Sequence, residues 1–258
     1  MNRHGPLFKT SIAQTKAEIA AAQRLRYRVF IEELGGTGPM VDHAARLERD
    51  RFDDHAIHII LRDMTRPADD RIVGVYRVMT AAGAAAAGQY YCEDEYDLTP
   101  LKATGQTLLE LGRSCLHPAY RRGPGLMHLW SGLADFVADN DIDILFGVAS
   151  FHGTDVAALA APLSLLHDRH LAPEHLRVTA RPPGARAMNI CDIDQIDKVA
   201  ATRAIPALIK AYLRLGGVVG DGAFVDHAFN TTDICLILPT DAVGAMQRRV
   251  YERGQGLA

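Results

Sequence analysis

The sequence predicts an α/β fold, with a mixed, mostly antiparallel central sheet, one parallel strand pair and flanking helices. Two extended apolar segments, residues 56–63 and 71–80, are separated by a short turn and therefore predict an antiparallel hairpin. A helical pattern at residues 125–140 lies between two further apolar strands, which predicts a parallel pair joined by a right-handed crossover. Because the chain has no internal repeat and no long linker, we expect one domain over residues 1–258.

The first half begins with a strand at residues 7–13 and continues into a helix that ends at glycines. The helix carries an apolar stripe at helical spacing, formed by Ile19, Ala22, Leu25, Val29 and Phe30. Residues 45–55 are charged and irregular, and the hairpin strands follow. We expect a loop or helical turn at residues 81–89 and a surface loop with buried anchors at residues 90–101.

The second half alternates strands and helices after a third apolar strand at residues 108–116. The elements predicted beyond it are, in order, a helix at 125–140, a strand at 143–151, a helix at 155–170, an extended stretch at 175–181, a long loop at 182–198, a helix at 204–216, strands at 217–226 and 232–239, and a short closing helix at 240–250.

Composition excludes several classes of function. The formal net charge of −3 and the sequence pI of about 6.4 argue against non-specific binding of nucleic acid. The start, MNRHGPLFKT, lacks a signal-peptide core, and no apolar stretch approaches the ~20 residues of a membrane-spanning helix. The four cysteines are scattered without a C-x-x-C pair, as is typical of reduced thiols, so we expect a cytoplasmic protein.

The segment LLELGRSCLHPAYRRGPG, residues 108–125, combines an acid, a base, a strand stop and a helix start. In a regular strand Glu110 and Arg113 would lie on opposite faces. A bulge at Gly112 would bring them to the same face and would leave backbone N–H groups unpaired. Pro118 then stops the ladder, and the turn at residues 121–125 opens a helix whose free N–H groups favour an anion.

The remaining reactive side chains predict neither a metal site nor a covalent intermediate. The histidines show no metal-ligand spacing such as H-E-x-x-H, so no metal is expected. Cys115 lies in the key strand without a recognisable base partner, which favours a small buried residue over a nucleophile.

Strand, break, Arg/Gly turn and helix together resemble the acyl-donor motif of the GNAT acyltransferases. The resemblance implies a splayed parallel strand pair and a donor phosphate held by Arg121, Arg122, Gly123 and Gly125. The first position of the usual motif is replaced by Tyr120, and Pro124 removes a donor, so diphosphate binding is disfavoured. The donor implied is the acyl-phosphopantetheine arm of an acyl carrier protein, whose acidic surface the two arginines would steer. No tightly bound cofactor is expected.

A narrower resemblance covers residues 20–240. The segments LRYRVFIEELGG, RDRFDD, GVYRVMT and ELGR are similar to those of acyl-homoserine lactone synthases and ornithine-lipid N-acyltransferases. GRSCLHPAYR, ASFHGTD, LIKAYLRLGG, GDGAFVDHAFNTTD and ILP resemble the lipid enzymes specifically. The lactone synthases have a tryptophan soon after the first helix, whereas this chain has Leu34-Gly35-Gly36-Thr37 there. The resemblance therefore favours the L-ornithine N-acyltransferase family.

The resemblance implies roles for individual residues. Glu110 would be the general base, with a structural ion pair to Arg113 or Arg77 as the alternative, and those two arginines complete the catalytic set. Arg77 would either hold the substrate carboxylate or neutralise Glu110. The residues expected to order the first helix and bind substrate are Arg26, Asp50 and Asp53, with Phe30 in the core and along an acyl tunnel.

The implied reaction moves a 3-hydroxy fatty acyl group from acyl carrier protein to the α-amino group of ornithine. Its product, lyso-ornithine lipid, belongs in a membrane, so peripheral contact with the inner membrane around residues 20–40 is also implied. The alternatives are the same chemistry on glutamine or another amino acid, an acyl-homoserine lactone synthase, and a non-catalytic acyl-carrier or lipid-binding module.

Overall fold

The computed structural model describes residues 5–243. Its strands are β1 (Phe8–Ile12), β2 (Ile57–Asp63), β3 (Ile72–Thr80), β4 (Tyr96–Asp97), β5 (Leu108–Leu116), β6 (Ile144–His152), β7 (Thr179–Ala180), β8 (Ala185–Arg186), β9 (Val218–Val219), β10 (Ala223–Asp226) and β11 (Thr231–Pro239). Its α-helices are α1 (Lys16–Arg26), α2 (Ala81–Ala87), α3 (Thr99–Ala103), α4 (Gly125–Asp139), α5 (Ala160–His170), α6 (Lys198–Ala204) and α7 (Ala207–Arg214).

The chain divides into two compact units. Unit 1 contains the described residues up to Gln89 together with Leu111–Asp141, and unit 2 contains Tyr90–Glu110 together with the described residues from Ile142 onward. Strand β5 passes from unit 2 into unit 1 after Glu110. The single domain expected over residues 1–258 stays a prediction.

Unit 1 is built on the strand order β1-β2-β3-β5, with β1–β2 and β2–β3 antiparallel. Helix α1 covers one face, where Ala22, Leu25 and Val29 pack with Ile60, Val75 and Cys115. Helix α4 covers the other face. There a Cβ on Gly132 would lie 2.2 Å from Thr10, so glycine lets α4 approach β1 closely.

Unit 2 is built on the order β5-β6-β11-β10-β8, with β9 also paired to β11. The β5–β6 pairing is parallel, and β6 pairs antiparallel with β11 over nine residues. Helix α7 packs on β11, and α5 contacts α6 and β9. Large buried side chains at the centre of this unit include Phe146, Phe151 and Tyr96.

The predicted fold class is confirmed: the sheet is mixed and mostly antiparallel, with one parallel pair and flanking helices. Strand β5 has the predicted bounds. The first helix departs from the expectation, because after Arg26 it continues as a π-helix over Tyr27–Glu33. The helix expected at 155–170 begins only at Ala160, because the Asp155 carboxylate forms a turn with the N–H groups of Ala157 and Ala158.

The C-terminal helices also differ from the expectation. Helix α6 lies partly in the predicted loop, because Asp197 caps it by accepting from the N–H groups of Val199 and Ala200. The helix expected at 204–216 begins after Pro206 as α7. Of the closing helix at 240–250, residues 240–243 are helical and the rest lies outside the described residues.

Within residues 5–243, none of the helices has the length and apolar character needed to cross a membrane.

Candidate active site

Glu110 lies where the parallel β5–β6 register ends in the described chain. The paired residues are Leu108 with Ile144, Leu109 with Leu145, and Glu110 with Phe146. The Glu110 side chain is buried, and its carboxylate accepts hydrogen bonds from the peptide N–H groups of Tyr91 at 2.9 Å and Cys92 at 2.6 Å. These two N–H groups orient the carboxylate without neutralising it.

The strand distortion expected at Gly112 occurs one residue later. Arg113 has a φ of 51°, a left-handed conformation that costs energy for any residue except glycine. Its guanidinium donates from Nε to Glu48 at 3.1 Å and from Nη2 to Asp50 at 3.0 Å. Two charge-assisted hydrogen bonds thus hold the residue that carries the distortion.

Arg113 is one of six charged side chains that meet in unit 1. We call this group the charged network; it consists of Arg26, Arg77, Arg113, Glu48, Asp50 and Asp53. At its centre the fully buried Arg26 donates to Glu48 and to both Asp53 oxygens, at 2.6 and 3.2 Å. Arg77 donates from Nη1 to Asp50 at 2.6 Å and to Asp53 at 3.0 Å.

The opposite charges of the network stabilise one another. Burial raises the pKa of Asp53, but Arg26 and Arg77 more than reverse this and hold it below its usual value. For Glu48 and Asp50 burial is likewise the largest opposing effect, and the neighbouring guanidinium groups lower both pKa values. Burial also opposes the charge of Arg26, whose pKa is nevertheless raised by Glu48 and Asp53. All four groups are therefore charged at neutral pH.

The structure brings Arg26, Asp50 and Asp53 together with Arg77 and Arg113, two residues that the resemblance had grouped with Glu110 instead. It adds Glu48, which bridges Arg26 and Arg113, and Gln23, whose amide donates to Asp53 at 3.1 Å. Glu48 stands in the charged segment RLERDRFDD, and no local pattern distinguishes it from the other acids there.

His58 is a further buried member of this region that sequence reasoning missed. It is paired with Arg77 across β2 and β3, and its Nε2 lies 3.3 Å from the Asp53 carbonyl oxygen. Burial, followed by the charge of Arg26, lowers the pKa of His58, so its ring is neutral at pH 7.

Phe30 lies on the π-helical segment and is partly buried against the apolar cluster beneath α1. Phe30 thus lies against the edge of this cluster rather than within it. An acyl tunnel along it stays a prediction.

The predicted phosphate loop, residues 121–125, leads into α4 in unit 1. The Arg121 guanidinium forms a two-pronged ion pair with Glu33, at 2.5 and 2.7 Å, whereas Arg122 is exposed. Gly123 is exposed, while Gly125 is buried, and a Cβ there would lie 3.2 Å from the Tyr120 carbonyl oxygen. Pro124 occupies the N-cap position without a side-chain cap in the described chain, so the first N–H groups of α4 are available to an anion.

Two thiols near these elements are poor nucleophiles. Burial raises the pKa of Cys115 to about 12, in agreement with the expectation of a small buried residue. Burial, with smaller effects from Cys235 and Glu110, also raises the pKa of Cys92 well above its usual value.

Carboxylates also meet in unit 2, away from any predicted metal motif. Glu95, Asp226 and Asp233 each offer one oxygen, and these oxygens lie within 4.8 Å of one another. Exposed and buried acids often cluster in this way, and the sequence carries no further metal ligand that singles this cluster out.

The mixed sheet with its parallel β5–β6 pair is the fold of a GNAT acyltransferase domain. A family model described as an acetyltransferase (GNAT) domain matches residues 25–131. The fold is similar to that of an N-acyl amino acid synthase from uncultured soil microbes, with a TM-score of 0.52, 14% identity and 95% of each chain covered.

Two curated relatives identify the family within the GNAT class. The chain is 53% identical over 248 residues to L-ornithine N(alpha)-acyltransferase of Rhodobacter capsulatus, with 95% of each protein covered. It is 39% identical over 255 residues to the protein of the same name from Brucella abortus, with 97% of this chain and 90% of the relative covered. The chain belongs to the L-ornithine N(alpha)-acyltransferase family. The alternative of a non-catalytic binding module is therefore set aside.

Proposed function

We propose that this enzyme transfers a 3-hydroxy fatty acyl group from acyl carrier protein to the α-amino group of ornithine, which gives lyso-ornithine lipid. The observation that carries the proposal is the buried Glu110 carboxylate, oriented by two peptide N–H groups at the end of a parallel strand register. The names of the relatives support ornithine as the acceptor.

Glu110 acts as the general base in this proposal. An α-ammonium group is mostly protonated at neutral pH, and a carboxylate within ~3 Å, or one water away, can take its proton. The amine nitrogen then attacks the thioester carbon, the C–N bond forms and the C–S bond breaks. The phosphopantetheine thiolate leaves and takes the second proton that the nitrogen loses on becoming an amide, so the products are the amide and the free thiol and no covalent enzyme intermediate is needed.

Backbone donors on β5 beyond Glu110 would stabilise the developing oxyanion. The β5–β6 register in the described chain ends at Glu110, and the backbone then turns left-handed at Arg113. Peptide N–H groups near residues 112–115 that do not take part in that ladder can donate to the thioester carbonyl oxygen.

The charged network is proposed to order the first helix and the loop at residues 45–55. Arg77 already binds Asp50 and Asp53. Its proposed role is therefore to order this region rather than to hold the substrate carboxylate alone. The acids of the network are likewise engaged by guanidinium groups, so they scaffold the site rather than act as bases.

The phosphopantetheine phosphate is proposed to bind at the start of α4, with Arg122 and the first N–H groups of the helix as donors. Arg121 would join them only by exchanging its partner Glu33 for the phosphate or for an acidic surface of the carrier protein. Because the product is an amphiphile, the proposal includes peripheral contact with the inner membrane.

The experiment that tests the proposal is a mass-spectrometric competition assay. Purified protein receives 3-hydroxyacyl carrier protein with equal concentrations of ornithine, glutamine, lysine and S-adenosylmethionine. The expected dominant product is N-acylornithine. Dominant N-acylglutamine would retain the mechanism but overturn the acceptor, and an acyl-homoserine lactone would overturn the family-level choice of substrate. Replacing the donor by the matching acyl coenzyme A tests whether a carrier protein is required.

A further inference from the structure

Tyr90 directly precedes a residue that binds Glu110, and its ring contacts two other residues of unit 2. The peptide N–H of the next residue, Tyr91, donates to the Glu110 carboxylate at 2.9 Å. The Tyr90 ring packs edge-to-face on Phe146, the register partner of Glu110, with centroids 5.1 Å apart. The Lys102 ammonium lies 5.8 Å from the ring centroid, so the ring position is well defined.

The hydroxyl group of this tyrosine is the unexplained feature. Tyr90 is 4% exposed, yet its hydroxyl oxygen has no hydrogen-bond partner among residues 5–243. Leaving a buried hydroxyl unsatisfied is costly, and such a group needs an explanation. Burial, followed by the charges of Glu110 and Glu93, raises the pKa of Tyr90 to about 12. The group is therefore a neutral phenol that can both donate and accept one hydrogen bond at physiological pH.

We propose that Tyr90 is a specificity-determining residue whose hydroxyl binds the 3-hydroxyl of the acyl chain during transfer. This inference rests on the proposed function, because it takes Glu110 as the point where the thioester meets the amine.

The chemistry of the surroundings favours a hydroxyl as the partner. The Tyr90 ring packs on Phe146 and its hydroxyl is buried, so a partner for the hydroxyl has to come from a bound molecule. Beyond the thioester, the only polar atom of a 3-hydroxyacyl chain is that hydroxyl, two carbons from the reacting carbonyl. An anionic partner is disfavoured, because the carboxylates of Glu110 and Glu93 already act on Tyr90.

The test is a two-by-two cycle of enzyme and donor. Wild type and Tyr90→Phe are each assayed with carrier protein loaded with a 3-hydroxyacyl chain or with the unsubstituted chain of equal length. Phenylalanine keeps the ring contact with Phe146 and removes only the hydroxyl. Wild type is expected to prefer the hydroxylated donor by about 10-fold or more in kcat/KM, and Tyr90→Phe is expected to lose that preference. The thermal midpoint of Tyr90→Phe should stay the same or rise, because phenylalanine removes a buried hydroxyl that has no partner among the described residues of the free protein.

The outcomes separate this inference from the function on which it rests. A preference retained in Tyr90→Phe, or absent from wild type, overturns the role of Tyr90. An equal loss on both donors, with a shifted alkaline limb of the pH profile, would instead make Tyr90 the acid that protonates the thiolate, and it also overturns the inference. Acylation of a different amine overturns the proposed acceptor, yet the donor preference can still be measured by release of carrier-protein thiol.

Discussion

Two carboxylate environments in this molecule differ in what holds the negative charge. In unit 1, the acids of the charged network bind guanidinium groups, and their pKa values are lowered. In unit 2, Glu110 accepts hydrogen bonds from two peptide N–H groups. A guanidinium group both neutralises and orients a carboxylate, whereas a peptide N–H group orients it and leaves its charge in place. On this difference rests the proposal that Glu110, rather than an acid of the network, is the base.

The largest expected effect is on the scaffold. Asp53→Asn removes the acid that Arg26 and Arg77 share, which leaves buried positive charge uncompensated. We expect the free energy of unfolding to fall by about 3 to 5 kcal/mol, measured by urea denaturation. The matched control is the exposed neighbour in Asp54→Asn, which should change it by less than about 0.5 kcal/mol. Equal effects at both positions would show that the network does not stabilise the fold.

Replacing Glu110, the proposed base, should affect turnover more than stability. Glu110→Gln keeps the size and an acceptor oxygen but removes the base. We therefore expect turnover to fall by ~100-fold or more, about 2.7 kcal/mol in the barrier. The free energy of unfolding should fall by about 1 to 3 kcal/mol, because the amide NH2 leaves one of the two peptide N–H donors unpaired. Steady-state turnover and urea denaturation are measured on the same preparation, with the exposed Glu174→Gln as control. Retained turnover would remove Glu110 from the chemistry.

Acid should weaken the scaffold in two steps. His58 has a lowered folded pKa, so its contribution is present above about pH 6.5, the unfolded value, and is lost as pH falls below it. The acids of the network also have lowered pKa values in the folded state, so their contribution to stability is lost as pH falls below about 4.5. Unfolding free energies measured from pH 8 to 4 should therefore decline from pH 6.5 downward.

The loss of stability below pH 6.5 can be tested by replacing His58. We expect His58→Gln to reduce the slope between pH 7 and 5, where one proton accounts for at most about 1.4 kcal/mol per pH unit. The exposed His55→Gln should leave the slope as it is in wild type. An unchanged slope in His58→Gln would assign the step to other histidines with lowered pKa values, His117 and His170.

The smallest effect on stability is expected at the phosphate loop. The Arg121–Glu33 pair is exposed, so Arg121→Ala should change the free energy of unfolding by less than about 1 kcal/mol. Arg122→Ala should raise KM for the carrier-protein donor more than Arg121→Ala does, because Arg121 is already bound to Glu33. The reverse order would show that the pair with Glu33 opens when the donor binds.

The elements that could be predicted are those with local signals. Strand β5 was bounded by glycine and proline and by its apolar run, and the βαβ order around α4 predicted its parallel pairing. Helix α6 was missed because its cap, Asp197, stands in the polar stretch DIDQIDK, which is typical of a loop. The π-helix was missed because a change from four- to five-residue hydrogen bonding alters no composition.

Only part of the candidate site could likewise be predicted from the sequence. The resemblance grouped Arg26 with Asp50 and Asp53 and placed Arg77 and Arg113 with Glu110. Glu48 joins the network only through partners 22 and 65 residues away in sequence. The hydrogen bonds to Glu110 come from the peptide nitrogens of Tyr91 and Cys92, and backbone donors leave no trace in residue identity. The distortion was placed on Gly112 because glycine is the usual sign of it, whereas the ion pairs of Arg113 sustain it on an arginine.

Position 113 is therefore subject to two selections that favour different amino acids. A left-handed φ of 51° favours glycine or asparagine, whereas the carboxylates of Glu48 and Asp50 require a fork of N–H donors. No standard residue satisfies both requirements, so a saturation library at this codon would split into backbone-relaxed variants that lose the charge and charged variants that keep the strain. Selection for heat resistance and selection for acyl transfer would then enrich different halves of that library.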